Sequence, residues 1–281
     1  MQLATIREDG QEIAVAVDPP RGLVRLRDLA EPVAGGALDV IASVPPRQFT
    51  ERVAATPAGR FEPVEGHTFT APYRTPHKIW GIGLNYRDHA DDLTAGYPDE
   101  PASFIKADHT VIGPGDPIPL PAQSERVTAE AELGLVMGPY TRDVSQAEAL
   151  SRLWGVCPVL DQTAEDILQR NPRFLTRAKN FPGFFSFGPG ITPIGEVLAR
   201  FGSLDAVEVA TVRNGEVVRS NSVAGMIFSP EFLISFHSKV MPLYPGDIIS
   251  SGTPGAAVIR DGDTAECRIA GIGVLGNPVS A

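Results

Sequence analysis

Cys157 and Cys267 are the only thiols in a chain of 281 residues. Two cysteines are too few for a disulfide framework or a thiolate metal cluster, and they suit a reducing compartment. No apolar run approaches the roughly 18 residues of a membrane-spanning helix. Basic residues are in the minority: 24 Lys and Arg face 34 Asp and Glu, a net charge of −10 at pH 7, with no dense Lys/Arg block. Such a chain is poorly suited to nucleic acid or an anionic membrane, although a local site can still take a small anion. Met1–Glu8 lacks the basic-then-apolar order of a secretory signal. The expectation is a cytoplasmic protein with no nucleic-acid and no membrane partner.

Glycine and proline, by contrast, are abundant. With 28 and 26 copies they make up about a fifth of the chain, against about 12% on average. Both disfavour helix interiors, so many short strands joined by tight turns are expected, and a helical bundle is not. Gln2–Arg7 and Glu12–Asp18 read as strands around the turn signal Asp9-Gly10. Ala37–Ala55 is helical in pattern, broken at Pro45-Pro46, and Pro57–Pro76 reads as a linker. These features suggest a small N-terminal α/β domain over residues 1–70, and a β-rich domain over 71–281.

In the second part, Lys78–Leu84, Val127–Val136, Trp154–Leu160, Asp247–Ser251 and Thr264–Ile269 read as strands. Val207–Arg213 and Glu216–Ser220 flank Asn214-Gly215, the strongest hairpin signal in the chain. Helices are few. Ser145–Glu148 is a capping box opening Gln146–Leu153, and Ser229-Pro230-Glu231 opens a helix ending at Val240. Gly81-Ile82-Gly83 follows a strand, but Tyr86 stands where a dinucleotide fingerprint needs its third glycine. Gly188-Pro189-Gly190 lacks the lysine and hydroxyl residue of a phosphate loop.

Glu130 and Glu132 sit two residues apart in Val127–Val136, so as strand residues they share one face. Like charges side by side suit either a solvated face or a compensating cation. The flanking Leu133, Leu135 and Val136 continue into a core and favour a hard cation with oxygen ligands. Asp161, placed after the strand Trp154–Leu160, is a candidate third ligand. Its alternative is a turn or cap residue before Thr163-Ala164-Glu165-Asp166, which reads as a capping box. Lys106 and Asp247 have only plain readings, strand-end charge and turn capping.

These residues stand in a recognisable order. Gly83-Leu84-Asn85-Tyr86-Arg87-Asp88-His89 comes first, then Phe104-Ile105-Lys106, Gly113-Pro114-Gly115-Asp116 and Glu130-Ala131-Glu132-Leu133. Asp161, Lys179, Gly188-Pro189, Asn214-Gly215-Glu216, Pro245-Gly246-Asp247 and Ser251-Gly252-Thr253-Pro254 follow. From Lys78 onward the chain resembles the fumarylacetoacetate hydrolase family. The resemblance implies an α+β, mainly β fold: a mixed β-sandwich or roll, usually homodimeric, with a Mg²⁺ or Mn²⁺ site. Glu130, Glu132 and Asp161 match the metal carboxylates. Lys179 matches the lysine beside the substrate, Thr253 the threonine of the late Gly-Thr-Pro turn, and His89 the histidine of the segment that closes over the site. Asp92 stands where many members carry a glutamate that forms a dyad with that histidine. Glu165 stands where many carry an arginine, leaving Arg170, Arg173 or Arg177 to anchor the substrate. Pro182 replaces a common aspartate.

The small-molecule partner so implied is a 2-oxo acid. A divalent ion acting as a Lewis acid stabilises the enolate formed when a bond beyond C3 breaks. The leading expectation is hydrolysis of a C–C bond in a 2,4-dioxo acid such as an acylpyruvate. His89 would act as base, because its ordinary pKa of about 6.5 suits neutral pH. Lys179 and Thr253 would face developing negative charge. Decarboxylation of an oxaloacetate-like acid, hydration or dehydration beside the ketone, and binding without turnover are the alternatives.

Overall fold

The computed structural model describes residues 1–87 and 98–281. His89 and Asp92 lie outside the described residues.

Local chemistry sets the first elements. β1 (Gln2–Glu8) and β2 (Gln11–Asp18) join at Asp9-Gly10, where φ is 48° and 78°. Positive φ at both central residues is what a type I′ hairpin turn requires. β3 (Gly22–Arg25) extends this sheet on β2. The helices Ala37–Ser43 and Pro46–Ala55 follow, with Pro46 at the first helical position, where its missing N–H costs nothing. The proline-rich stretch read as a linker is bonded back to the sheet. Leu23 N donates to Glu62 O at 2.8 Å, Thr70 N donates to Thr5 O at 3.0 Å, and β4 (Thr68–Phe69) pairs with β1.

The second part supplies β5 (Ile79–Gly83), β6 (Ala102–Lys106), β7 (Val111–Ile112), β8 (Ile118–Pro119) and β9 (Val127–Met137). β10 (Leu153–Ala164), β11 (Phe185–Phe187), β12 (Gly190–Pro193), β13 (Glu208–Arg213) and β14 (Glu216–Ser222) come next. β15 (Ile248–Ser250), β16 (Ala256–Ile259), β17 (Thr264–Ile269) and β18 (Gly273–Ser280) close the chain. Asn214 and Gly215 form another hairpin turn with positive φ at both central residues, 52° and 82°. Ser229 caps its helix, Pro230–Val240, by accepting from Phe232 N. The helix opened by Ser145 is shorter than expected: it runs Gln146–Ala149, and Leu150–Arg152 tighten into a 3-10 turn before β10.

Among the described residues the strands form two sheets. The larger runs β3-β2-β1-β12-β10-β9-β15-β5-β6, and the smaller β14-β13-β17-β18-β8. Most pairs are antiparallel, but β15 with β5 is parallel, so the large sheet is mixed. Strand alternation then assigns the faces of β9. Ala131, Leu133 and Leu135 join Leu160, Val209, Cys267 and Leu275 in the core between the two sheets. The opposite face carries Glu130 and Glu132 at one end. Towards its other end, Val136, Cys157 and Val159 are buried against the N-terminal residues Phe49 and Val53. The first 70 residues therefore cover part of the face that bears the acidic pair.

Candidate metal centre

β9 and β10 pair along their full lengths, with Glu130 directly opposite Asp161 and Glu132 opposite Val159. Opposed residues of an antiparallel pair share a face, so the three carboxylates converge. One ligand oxygen from each of Glu130, Glu132 and Asp161 lies within 4.8 Å of the others.

Asp161 is not at a strand end. β10 continues to Ala164, and the helix Glu165–Arg170 begins without a side-chain cap. Thr163 does not cap it; its hydroxyl donates to Glu130 Oε1 at 2.5 Å. Asp161 and Thr163 are thus strand residues that bond within the site.

Each carboxylate is held by donors. Ser250 Oγ donates to Glu132 Oε2 at 2.5 Å, and Gly252 N donates to the same oxygen at 2.8 Å. These donors come from the edge of β9. β15 ends at Ser250 opposite Gly134, β16 resumes at Ala256 opposite Glu130, and the turn between them bends over Glu132. Thr253 lies in that turn, buried. Its Oγ1 donates to Gly255 O at 3.1 Å and accepts from Gly255 N at 3.2 Å. Burial pushes the Glu132 carboxyl up to about 8, with the Asp161 charge adding to the rise and the Lys179 charge opposing it. A buried carboxylate beside two others is a poor anion on its own and a good ligand for a dication.

Two lysines reach Asp161 from different sides. Lys179, at the end of the helix Leu175–Lys179, donates to Asp161 Oδ2 at 2.7 Å and Glu130 Oε2 at 3.0 Å. Burial pushes its ammonium down, but Asp161, Glu130 and Glu132 outweigh that and leave it above the ordinary lysine value. Lys106, at the end of β6, donates to Asp161 Oδ1 at 2.6 Å. Its side chain is fully buried, and burial lowers it to about 8 despite the Asp161 charge. Lys106 was legible only as a strand-end charge; its partner lies 55 residues away and no local spacing signals it. The Phe104 ring underlies both ammoniums, 4.9 Å from Lys179 Nζ and 5.9 Å from Lys106 Nζ.

Glu165, at the position where an arginine is common, pairs with Arg126. Arg170 is spent on Asp166 at 3.1 Å, and Arg177 donates to Gln123 at 3.3 Å.

The C-terminal domain model of fumarylacetoacetate hydrolase matches residues 78–280, the span that holds all these side chains. The chain belongs to the fumarylacetoacetate hydrolase family. Human mitochondrial oxaloacetate tautomerase FAHD2B is 34% identical over 221 residues, covering 75% of this chain and 69% of that protein. The fumarylacetoacetate hydrolase of psychrophilic Exiguobacterium antarcticum superposes with a TM-score of 0.84 at 27% identity, covering 100% of this chain and 99% of its own. The 2-hydroxyhepta-2,4-diene-1,7-dioate isomerase of Mycobacterium marinum gives 0.77 at 29% identity, over 100% and 98%. Members of this fumarylacetoacetate hydrolase family thus include hydrolases, isomerases and tautomerases. No described helix is long and apolar enough to cross a membrane.

Proposed function

We propose that this chain is a Mg²⁺- or Mn²⁺-dependent enzyme that hydrolyses a C–C bond in a 2,4-dioxo acid of the acylpyruvate type. The carrying observation is the convergence of Glu130, Glu132 and Asp161 oxygens within 4.8 Å, a hard, all-oxygen donor set. A bound divalent cation would polarise the carboxylate and keto oxygens of a 2-oxo acid. Glu130, Glu132 and Asp161 would hold it, kept in place by Ser250, Gly252 and Thr163. Lys179 offers an ammonium to the developing enolate oxygen, and Thr253 a hydroxyl to a substrate oxygen. His89 takes the proton from the attacking water, oriented by Asp92.

Oxaloacetate tautomerisation is the second reading, favoured by the likeness to human FAHD2B. It needs the same enolate and no attacking water; decarboxylation shares both features. Chelator-treated protein should turn over an acylpyruvate only after Mg²⁺ or Mn²⁺ is restored. His89→Ala should abolish that hydrolysis and spare decarboxylation of oxaloacetate, which needs no attacking water. Metal-restored protein inert toward acylpyruvates but active on oxaloacetate would transfer the conclusion to the second reading. The site is proposed to work in a homodimer, which light scattering of the purified protein would test.

A further inference from the structure

Asp161 is held by two ammoniums that differ in what else they touch. A lysine ammonium has three N–H donors. Those of Lys106 reach Asp161 Oδ1 at 2.6 Å, Gln162 O at 3.4 Å and Lys179 O. All three acceptors are protein atoms and the side chain is wholly buried, so Lys106 has nothing to offer a ligand. Lys179 instead places its ammonium on Asp161 Oδ2 and Glu130 Oε2, two carboxylates of the three that converge.

We propose that Lys106 is the permanent counter-ion of Asp161, and that Lys179 is an exchangeable one whose ammonium leaves these oxygens when a divalent cation takes them. The inference rests on reading the carboxylates as a cation site. Lys106 lowers the cost of the exchange, because Asp161 stays paired when Lys179 departs. It also bonds the Lys179 carbonyl, which fixes the backbone from which that side chain swings. The Phe104 ring, already 4.9 Å from the Lys179 ammonium, gives the departing charge a favourable face. Lys106 is thus a positioning residue. Without it Asp161 would depend on Lys179 alone, and that ammonium would compete harder with the metal.

The two lysines therefore act on metal affinity with opposite signs. Mn²⁺ is titrated into the full-length wild type, Lys106→Met and Lys179→Met, with free Mn²⁺ read by electron paramagnetic resonance. Lys106→Met should weaken the Mn²⁺ Kd by about 10- to 100-fold, the usual cost of losing a partner of a metal ligand. Lys179→Met should tighten it. Tightening in both variants would mean simple charge repulsion, and an unchanged Kd with a lowered Tm in Lys106→Met would mean a scaffold role; either overturns the proposal. Absence of Mn²⁺ binding by the wild type overturns the cation site itself, whereas wild-type binding with an unaffected Lys106→Met overturns only this inference. Amine labelling of the wild type gives a readout independent of variant folding. Mn²⁺ should speed labelling of Lys179 and leave Lys106 protected; no change at Lys179 overturns the exchange.

Discussion

The acidic side chains set the pH behaviour of the site. Burial raises Glu132 to about 8, so cation binding there should be coupled to loss of a proton. The Mn²⁺ Kd should therefore fall as pH rises from 6 towards 8, and rise again above that as Lys106, itself lowered to about 8, loses the charge that pairs Asp161. Calorimetry in buffers of different ionisation enthalpy should show proton release on binding at pH 7. A Kd flat across this range would contradict the assignment. Ser250 counts here too, since its hydroxyl bond favours the ionised form of Glu132. Ser250→Ala should shift the pH dependence upward and weaken Mn²⁺ binding by about 10-fold or more. Legibility at this scale was uneven. Glu130 and Glu132 could be read because a two-residue period fixes a common face. Asp161 could be read as a ligand but not as a mid-strand residue, because Thr163-Ala164-Glu165-Asp166 looks like a capping box until Thr163 is seen bonded to Glu130. Lys106 could not be read, because burying a lysine depends on a distant carboxylate.

Among the elements, the pair β5 and β6 supports the lysines. Gly81 stands opposite Phe104, and a Cβ at Gly81 would come within 2.2 Å of that ring. The glycine is the space in which the ring lies, and the ring underlies both ammoniums. Gly81→Ala should cost about 1–3 kcal/mol through overpacking, seen as a lowered denaturation midpoint. It should also disturb Mn²⁺ affinity, because Phe104 must move. Unaltered stability and affinity would show that the ring shifts freely. The turn chemistry was legible from the sequence: Asp9-Gly10 and Asn214-Gly215 take the positive φ that their residue types allow. The early end assigned to β10 was the main misreading, since Asp161 and Thr163 are polar strand residues whose partners lie in the site.

For the molecule as a whole, the first 70 residues and the rest share apolar contacts. Phe49 meets Trp154 with ring centroids 5.3 Å apart, Trp154 Nε1 donates to Val44 O at 2.9 Å, and β1 pairs with β12. The two parts should unfold in one calorimetric transition; two separated transitions would show that 1–70 and 71–281 are separate cooperative units. Proton linkage adds a sign. Native Glu132 holds its proton to higher pH than an unfolded glutamate does, so between about pH 4.5 and 8 the unfolded state binds fewer protons. Chelated protein should lose this increment of stability as pH rises through that window. The rise in Tm on adding Mn²⁺ should grow over the same range.

The interruption between β15 and β16 has a spectroscopic consequence. The Gly252 amide proton points at a carboxylate of the proposed metal site and not at a neighbouring strand. Glycine amides resonate in a sparsely occupied region of a nitrogen–proton correlation spectrum. The Gly252 peak should therefore move when a cation draws charge from Glu132, and report occupancy from within the turn that carries Thr253.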